Sequence, residues 1–143
     1  MKLLYLLAII LLIAVGCHSS KTSSVKEDLP KEVSQDTVRI ANDDIEYEII
    51  IIEPGFNAWL QSVARPEGFY SQQLLEQRNW QYVISWNQRV RQPQVFDSNL
   101  YEMLIDYDPN IDYGYEVNYK LYYYFVYFQL KYNQKLTGMT PRI

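Results

Sequence analysis

The stretch DYDPNIDYGYE, Asp106 to Glu116, sets oxygen-bearing side chains at Asp106, Asp108, Asn110 and Asp112, with Glu116 closing the run. Calcium takes about six to eight oxygen ligands, so alternating acids are the ligand type it requires. An EF-hand loop nevertheless fails at two places, because Ile111 stands where the turn glycine belongs and Val117 where the bidentate glutamate belongs. Pro109 and the interleaved tyrosines fit a packed loop whose acids sit near the positive N-terminal end of a following helix. No metal or cofactor is therefore expected, with Asp106, Asp108 and Asp112 as the calcium alternative. Paired carboxylates could act as acid and base on a glycan, but any chain with 17 acids offers such pairs. A histidine triad or a zinc site is disfavoured, since the one histidine, His18, and the one cysteine, Cys17, both lie near the N-terminus. Gly55, Gly68 and Gly114 are too dispersed for a phosphate loop. The expectation is a protein that is not an enzyme.

Cys17 has its own chemistry. Met1-Lys2 is a minimal basic start, and residues 3–15, LLYLLAIILLIAV, are apolar and uncharged. As a helix this run would span roughly 20 Å, short of the roughly 30 Å hydrocarbon core, and it fits the apolar region of a signal peptide. Ala14-Val15-Gly16 then lead directly to Cys17. An apolar run ending in small residues before cysteine resembles the lipobox of bacterial lipoproteins, with Ala14 where leucine is commonest. The resemblance implies cleavage after residue 16, a diacylglycerol thioether on Cys17 and acylation (such as palmitate) of its amine. With no second cysteine, a disulfide is not the alternative. Two or three acyl chains give stable anchoring, so Cys17 is read as the membrane anchor. His18 stands where an aspartate often marks inner-membrane retention, which favours the outer membrane. The first acids, Glu27 and Asp28, lie well behind the cysteine, which favours the periplasmic face.

The chain carries 13 basic and 17 acidic side chains, a net charge of −4. Without a basic stripe, nucleic acid is not an expected partner, and the lipid alone must hold the protein to the membrane. Residues 17–36 comprise the lipidated cysteine and a polar, Ser- and Lys/Glu-rich stretch without aromatics. It has too little apolar surface to offset the entropy of ordering, and as a coil it would reach about 25 Å. The folded unit is expected over residues 37–136 as a single globular domain, with 137–143 as a flexible tail.

The elements that must position any site follow from punctuation and period. Thr37 to Ala41 and Ile45 to Ile52 read as strands around a turn at Asn42-Asp43-Asp44. Ile49 to Ile52 suggest a second strand buried on both faces. Pro54 suits a helix start, and Phe56, Trp59, Leu60 and Val63 follow at helical spacing. After the break at Arg65-Pro66-Glu67-Gly68, a longer helix is expected from about Ser71 to Arg91. It carries Leu75, Tyr82, Val83, Trp86 and Val90 on one face and Trp80 and Ile84 on a neighbouring stripe. Pro93 ends it, and Asp97 or Ser98 should cap a short helix through about Ile105. The run from Glu116 to Leu136 is aromatic enough for strand, yet its length without Gly or Pro favours helix. Val117, Leu121, Phe125, Phe128 and Tyr132 recur at helical spacing. The predicted class is α+β: a mostly helical small domain with a short β-hairpin and an aromatic-rich C-terminal helix.

Most of the 14 tyrosines lie between Tyr107 and Tyr132. Three readings stay open: a core helix with hydroxyls extended to water, a protein interface, or a glycan or peptidoglycan site using rings and the amides of the middle helix. The apolar run Tyr122 to Phe128 is long for one helix face to hide, which favours a protein partner. The predicted interaction surface is Trp80, Trp86, Tyr119, Tyr122, Tyr123 and Tyr127. RIANDDIEYEIIIIEPGFNAWL, RPEGFYS, WNQRVRQPQVFDSNLYE and PNIDYGYEVNYKLYYYFVYFQLKYNQKL together resemble a family of small Bacteroidota lipoproteins of unknown function. The resemblance spans about residues 38–136 and implies a Gram-negative envelope lipoprotein, without assigning an activity or site residues. The expected protein is thus a lipid-anchored envelope protein working by interaction with an envelope partner. A periplasmic binding module for glycan or calcium is the alternative.

Overall fold

β1, Thr37–Asn42, and β2, Tyr47–Ile52, pair antiparallel with Thr37 opposite Ile52 and Asn42 opposite Tyr47. The turn is longer than a minimal hairpin: Asp43–Ile45 form one 3-10 turn and Glu46 adopts a left-handed conformation, φ 53°. Asn42 fixes it twice, accepting from the Asp44 N–H at 3.0 Å and donating to the Tyr113 carbonyl at 3.0 Å. Arg39 pairs with Asp43 and Glu48 on the outer face. The computed structural model describes residues 37–141 and 143. The predicted leader, Cys17 and the tether lie outside the described residues.

Side chains alternate across a strand, and a sheet of two strands has one covered face here. Val38, Ile40 and Ile49 are buried, whereas Ile50 and Ile52 are 54% and 77% exposed. The expectation that all four isoleucines are buried is therefore corrected: β2 has a helix on one side only.

Helix α1, Phe56–Ser62, begins one residue beyond Pro54-Gly55 rather than at the proline. Gly55 has φ 86°, and a Cβ there would stand 2.9 Å from the Tyr127 hydroxyl, so conformation and space both demand glycine. Helix α2, Gln72–Val90, matches its predicted limits. The Ser71 hydroxyl accepts from the Leu74 N–H at 3.3 Å, an N-cap. Leu75, Tyr82, Val83 and Trp86 face inward, and Trp80 and Ile84 are exposed.

The short helix predicted after Asp97 is absent. The Asp97 carboxylate accepts from the Asn99 N–H at 2.9 Å, and its carbonyl closes a single turn with Leu100 and Tyr101. The chain then runs without regular structure to the start of the last helix. Side chains of α2 supply the bonds a helix would have made. Trp86 Nε1 donates to the Met103 carbonyl at 2.8 Å, and the Asn87 amide both donates to the Ile105 carbonyl and accepts from its N–H.

Helix α3, Tyr115–Lys131, is the C-terminal run predicted as helix. Val117 to Tyr119, Leu121 to Val126, Phe128 and Gln129 are all buried, so most of its circumference is covered, apart from an edge that carries Glu116, Lys120 and Lys131. Such a helix belongs at the centre of a fold, and α2, α1 and β1 all pack on it. Its rings meet Tyr82 and Trp86 of α2 at tilted or edge-on angles, with Phe128 4.8 Å from Trp86 and Phe125 5.4 Å from Tyr82. One polar knot lies inside. Asn118 Oδ1 accepts from the Tyr107 hydroxyl at 2.7 Å and from Asn79 Nδ2 at 3.0 Å. The domain is α+β: mostly helical, with a short hairpin and an aromatic-rich C-terminal helix.

Candidate functional site

The predicted aromatic surface does not form. Trp86, Tyr119, Tyr122 and Tyr123 are buried, Tyr127 is half-buried, and Trp80 alone of the six stays well exposed at 38%. The correction has a clear cause: α2, α1 and β1 all pack on this helix, and the edge they leave open carries Glu116 and Lys120 rather than a run of rings.

The hydroxyls show why these residues are tyrosine rather than phenylalanine. Tyr115, Tyr119, Tyr123 and Tyr127 recur every four residues on α3, and each reaches backbone in the 54–70 segment. Tyr127 donates to the Pro54 carbonyl at 2.7 Å and Tyr119 to the Arg65 carbonyl at 2.9 Å. Tyr123 accepts from the Arg65 N–H at 3.1 Å, and Tyr115 from the Gly68 N–H at 2.6 Å. These backbone groups lie outside the hydrogen bonds of α1, and the ladder of hydroxyls ties the segment to α3 through them. Tyr123→Phe is expected to cost about 0.5–1.5 kcal/mol by removing the part-buried bond to the Arg65 N–H, read as a lower urea midpoint at unchanged slope.

The acidic run folds as a turn-rich loop. Asp108 accepts from the backbone and side-chain N–H groups of Asn110 at 2.8 and 2.7 Å. Asp112 accepts from Gln72 Nε2 at 2.7 Å and from the Gly114 N–H at 2.9 Å. At Asp106 it is the carbonyl that is engaged, by the Tyr47 hydroxyl at 2.7 Å. Among the described residues, no three His, Cys, Asp or Glu side chains are grouped to hold a metal ion. A broad groove beside this loop, lined by Arg39, Asp43, Asp44, Glu116 and Lys120, presents no unbalanced cation. Arg39 is paired with Glu48 and Asp43, and Lys120 with Glu116 at 2.6 Å.

A different place combines concavity with unspent polar groups. A cavity of about 230 Å³ lies between β2, the 99–105 segment and the C-terminal half of α3. Its apolar walls include Ile50, Ile52, Met103, Trp86 and Phe128, and its polar lining includes Glu53, Glu102, Tyr124 and Tyr132. Glu53 directly follows β2 at only 5% exposure. Its Oε1 accepts from Lys131 Nζ at 2.7 Å and from the Tyr132 hydroxyl at 3.1 Å, while Oε2 has no donor among the described residues. The Lys131 ammonium titrates above its ordinary range: partial burial opposes this, and the bond to Glu53 together with its charge outweighs it.

Tyr124 is 2% exposed, and its hydroxyl has no hydrogen-bond partner among the described residues. Burial pushes its ionisation upward, and the charges of Glu53 and Glu102 add to that, so the phenol stays neutral. Neither this hydroxyl nor Glu53 Oε2 is sealed from solvent, since among the described residues Asn79 Oδ1 is the one side-chain atom both buried and without a partner. The two residues line one cavity, where these atoms are open to a ligand's hydrogen bonds.

Sequence reasoning missed this site. The one trace of it is Glu53 itself, a charge set directly after four isoleucines and before Pro54-Gly55. Glu102, Tyr124 and Tyr132 come from parts of the chain that only the packing of α3 brings together.

Among the described residues, no helix is long and apolar enough to cross a membrane. Comparison with curated proteins and with solved structures gives no match. A family model does match, over residues 4–142, which is nearly the whole chain. The chain belongs to the family of unknown function DUF6146.

Proposed function

We propose that this chain is a lipid-anchored envelope protein, held through Cys17 on the periplasmic face of the outer membrane, that binds a partner without turning it over. The anchor rests on the residues of the leader: the apolar run 3–15, the small residues after it and Cys17. Residues 18–36 would let a domain beginning near Thr37 reach a partner above the headgroups.

Binding rests on one observation, the cleft between β2 and the 99–105 segment. Ile50, Ile52 and Met103 are exposed large apolar side chains at a cavity whose depth holds the unpartnered Tyr124 hydroxyl and Glu53 Oε2. Apolar walls with a few converging polar groups are the usual form of a binding site. The buried aromatic ladder is scaffold on this reading, and the partner meets the cleft instead of the tyrosines first expected to carry recognition.

The test is mild-detergent extraction of the tagged lipoprotein, followed by native sizing of wild type and Ile52→Asp. A complex of fixed stoichiometry is expected for wild type. It should be lost in Ile52→Asp while circular dichroism stays unchanged, because Ile52 is exposed and its replacement leaves the core intact. A complex that survives Ile52→Asp, or a monomer in both samples, would overturn the cleft as the binding surface. Cys17→Ser should move the protein from the membrane to the soluble fraction.

A further inference from the structure

Resting on that reading of the cleft, we infer that it recognises a primary ammonium carried on a short apolar stem, the chemistry of a lysine side chain or a small alkylamine. Charge balance is the first argument. Two carboxylates, Glu53 and Glu102, line the cavity, and the cation bound there, Lys131, is committed to Glu53 Oε1. One negative charge is left over, so a single cation restores neutrality.

The second argument is the direction of the hydrogen bonds on offer. Glu53 Oε2 and the Glu102 carboxylate can only accept, and the Tyr124 oxygen has lone pairs free. An ammonium has three donors and no acceptor, which suits a cavity lined by these acceptor oxygens. A carboxylate or phosphate ligand would meet like charge.

The third is the wall. Trp86, Tyr124, Phe128 and Tyr132 border the cavity, and aromatic faces attract a cation while their surface takes up a methylene stem. The volume of about 230 Å³ accommodates a stem of a few carbons with its ammonium head.

The experiment titrates the full-length chain in detergent with n-butylammonium, following the Trp86 indole N–H resonance, since that group lies at the cavity and donates to Met103. Saturable shifts are expected with n-butylammonium, and n-butanol and butyrate should give none. Affinity should fall at least tenfold in Glu102→Gln and several-fold in Tyr124→Phe. Glu102 is exposed, so its variant keeps the fold and the result stays interpretable.

N-acetyl-lysine methylamide separates the sources of the ammonium. Binding equal to that of butylammonium means the side chain alone is read, and tighter binding means a protein lysine is the natural ligand; both support the inference. Equal shifts with butanol, or no shift with either amine, would overturn it. In that case a complex that is lost in Ile52→Asp but unaffected by Glu102→Gln would leave partner binding standing.

Discussion

Raising the pH above about 10 is expected to unfold the domain in one cooperative step, with the phenolate absorbance of its buried tyrosines growing as the fold is lost. A tyrosine in an unfolded chain ionises near 10. Burial pushes Tyr82, Tyr107, Tyr123 and Tyr124 above that value in the fold. Above pH 10 the unfolded chain therefore holds fewer protons than the native one, and stability falls as pH rises. Each tyrosine kept neutral by the fold contributes a loss of about 1.4 kcal/mol per pH unit until its own native value is reached. Lys131, whose native value is raised chiefly through Glu53 against the opposing effect of burial, adds in the same direction. Its stabilising contribution is present below the ordinary lysine value and is lost as pH passes the native one. Parallel records of circular dichroism and phenolate absorbance check this. A simple tyrosine titration near pH 10 with the helical signal intact would show that the rings are in water.

The second large effect is expected at Asn118. Its side chain is fully buried and serves three groups: it accepts from Tyr107 and Asn79 and donates to the Gly114 carbonyl at 2.9 Å. Asn118→Leu keeps the size but orphans the Tyr107 hydroxyl and takes one of two acceptors from Asn79, whose other bond goes to the Asn118 carbonyl at 2.9 Å. The expected loss is about 2–4 kcal/mol, since an unsatisfied buried group costs more than a made bond returns. Adding Tyr107→Phe to Asn118→Leu should recover about half. Replacing Asn79 with leucine as well should recover more, because Asn79 Oδ1 is already buried without a partner. Urea midpoints of the single, double and triple variants make the comparison. Strictly additive losses would mean that the three residues act separately and that the knot is not a unit.

Features with local causes were legible in the sequence. Asn42-Asp43-Asp44 announced the hairpin, Ser71 and Pro93 bracketed α2, and the length of the run after Glu116 outweighed its strand-like composition. What escaped was decided at a distance. Asp97 is a good cap for a helix, but Trp86 and Asn87 hold the following backbone in place from α2. Ile50 and Ile52 share residue type with Ile49, and only the number of layers on the sheet separates exposed from buried. The tyrosines of α3 carried the same ambiguity, because a ring with a polar tip suits an interface and a core equally well. Tyr119 and Tyr123 are core because the 54–70 segment offers their hydroxyls backbone partners.

The element on which β1, α1 and α2 all pack is also the last of the helices and strands among the described residues. A polypeptide emerging N-terminus first thus has no interior to close upon until residues near Lys131 have arrived. The hairpin alone is two strands, too few for independent stability. Helix α1 has only 7 residues, well below the length at which an isolated helix persists in water. For a chain threaded across a membrane behind the leader proposed at residues 1–16, this order of elements would postpone folding until the last helix had crossed. On that proposal the polypeptide would pass through a narrow channel while still loose, and it would become a domain only once the C-terminal helix had reached the far side.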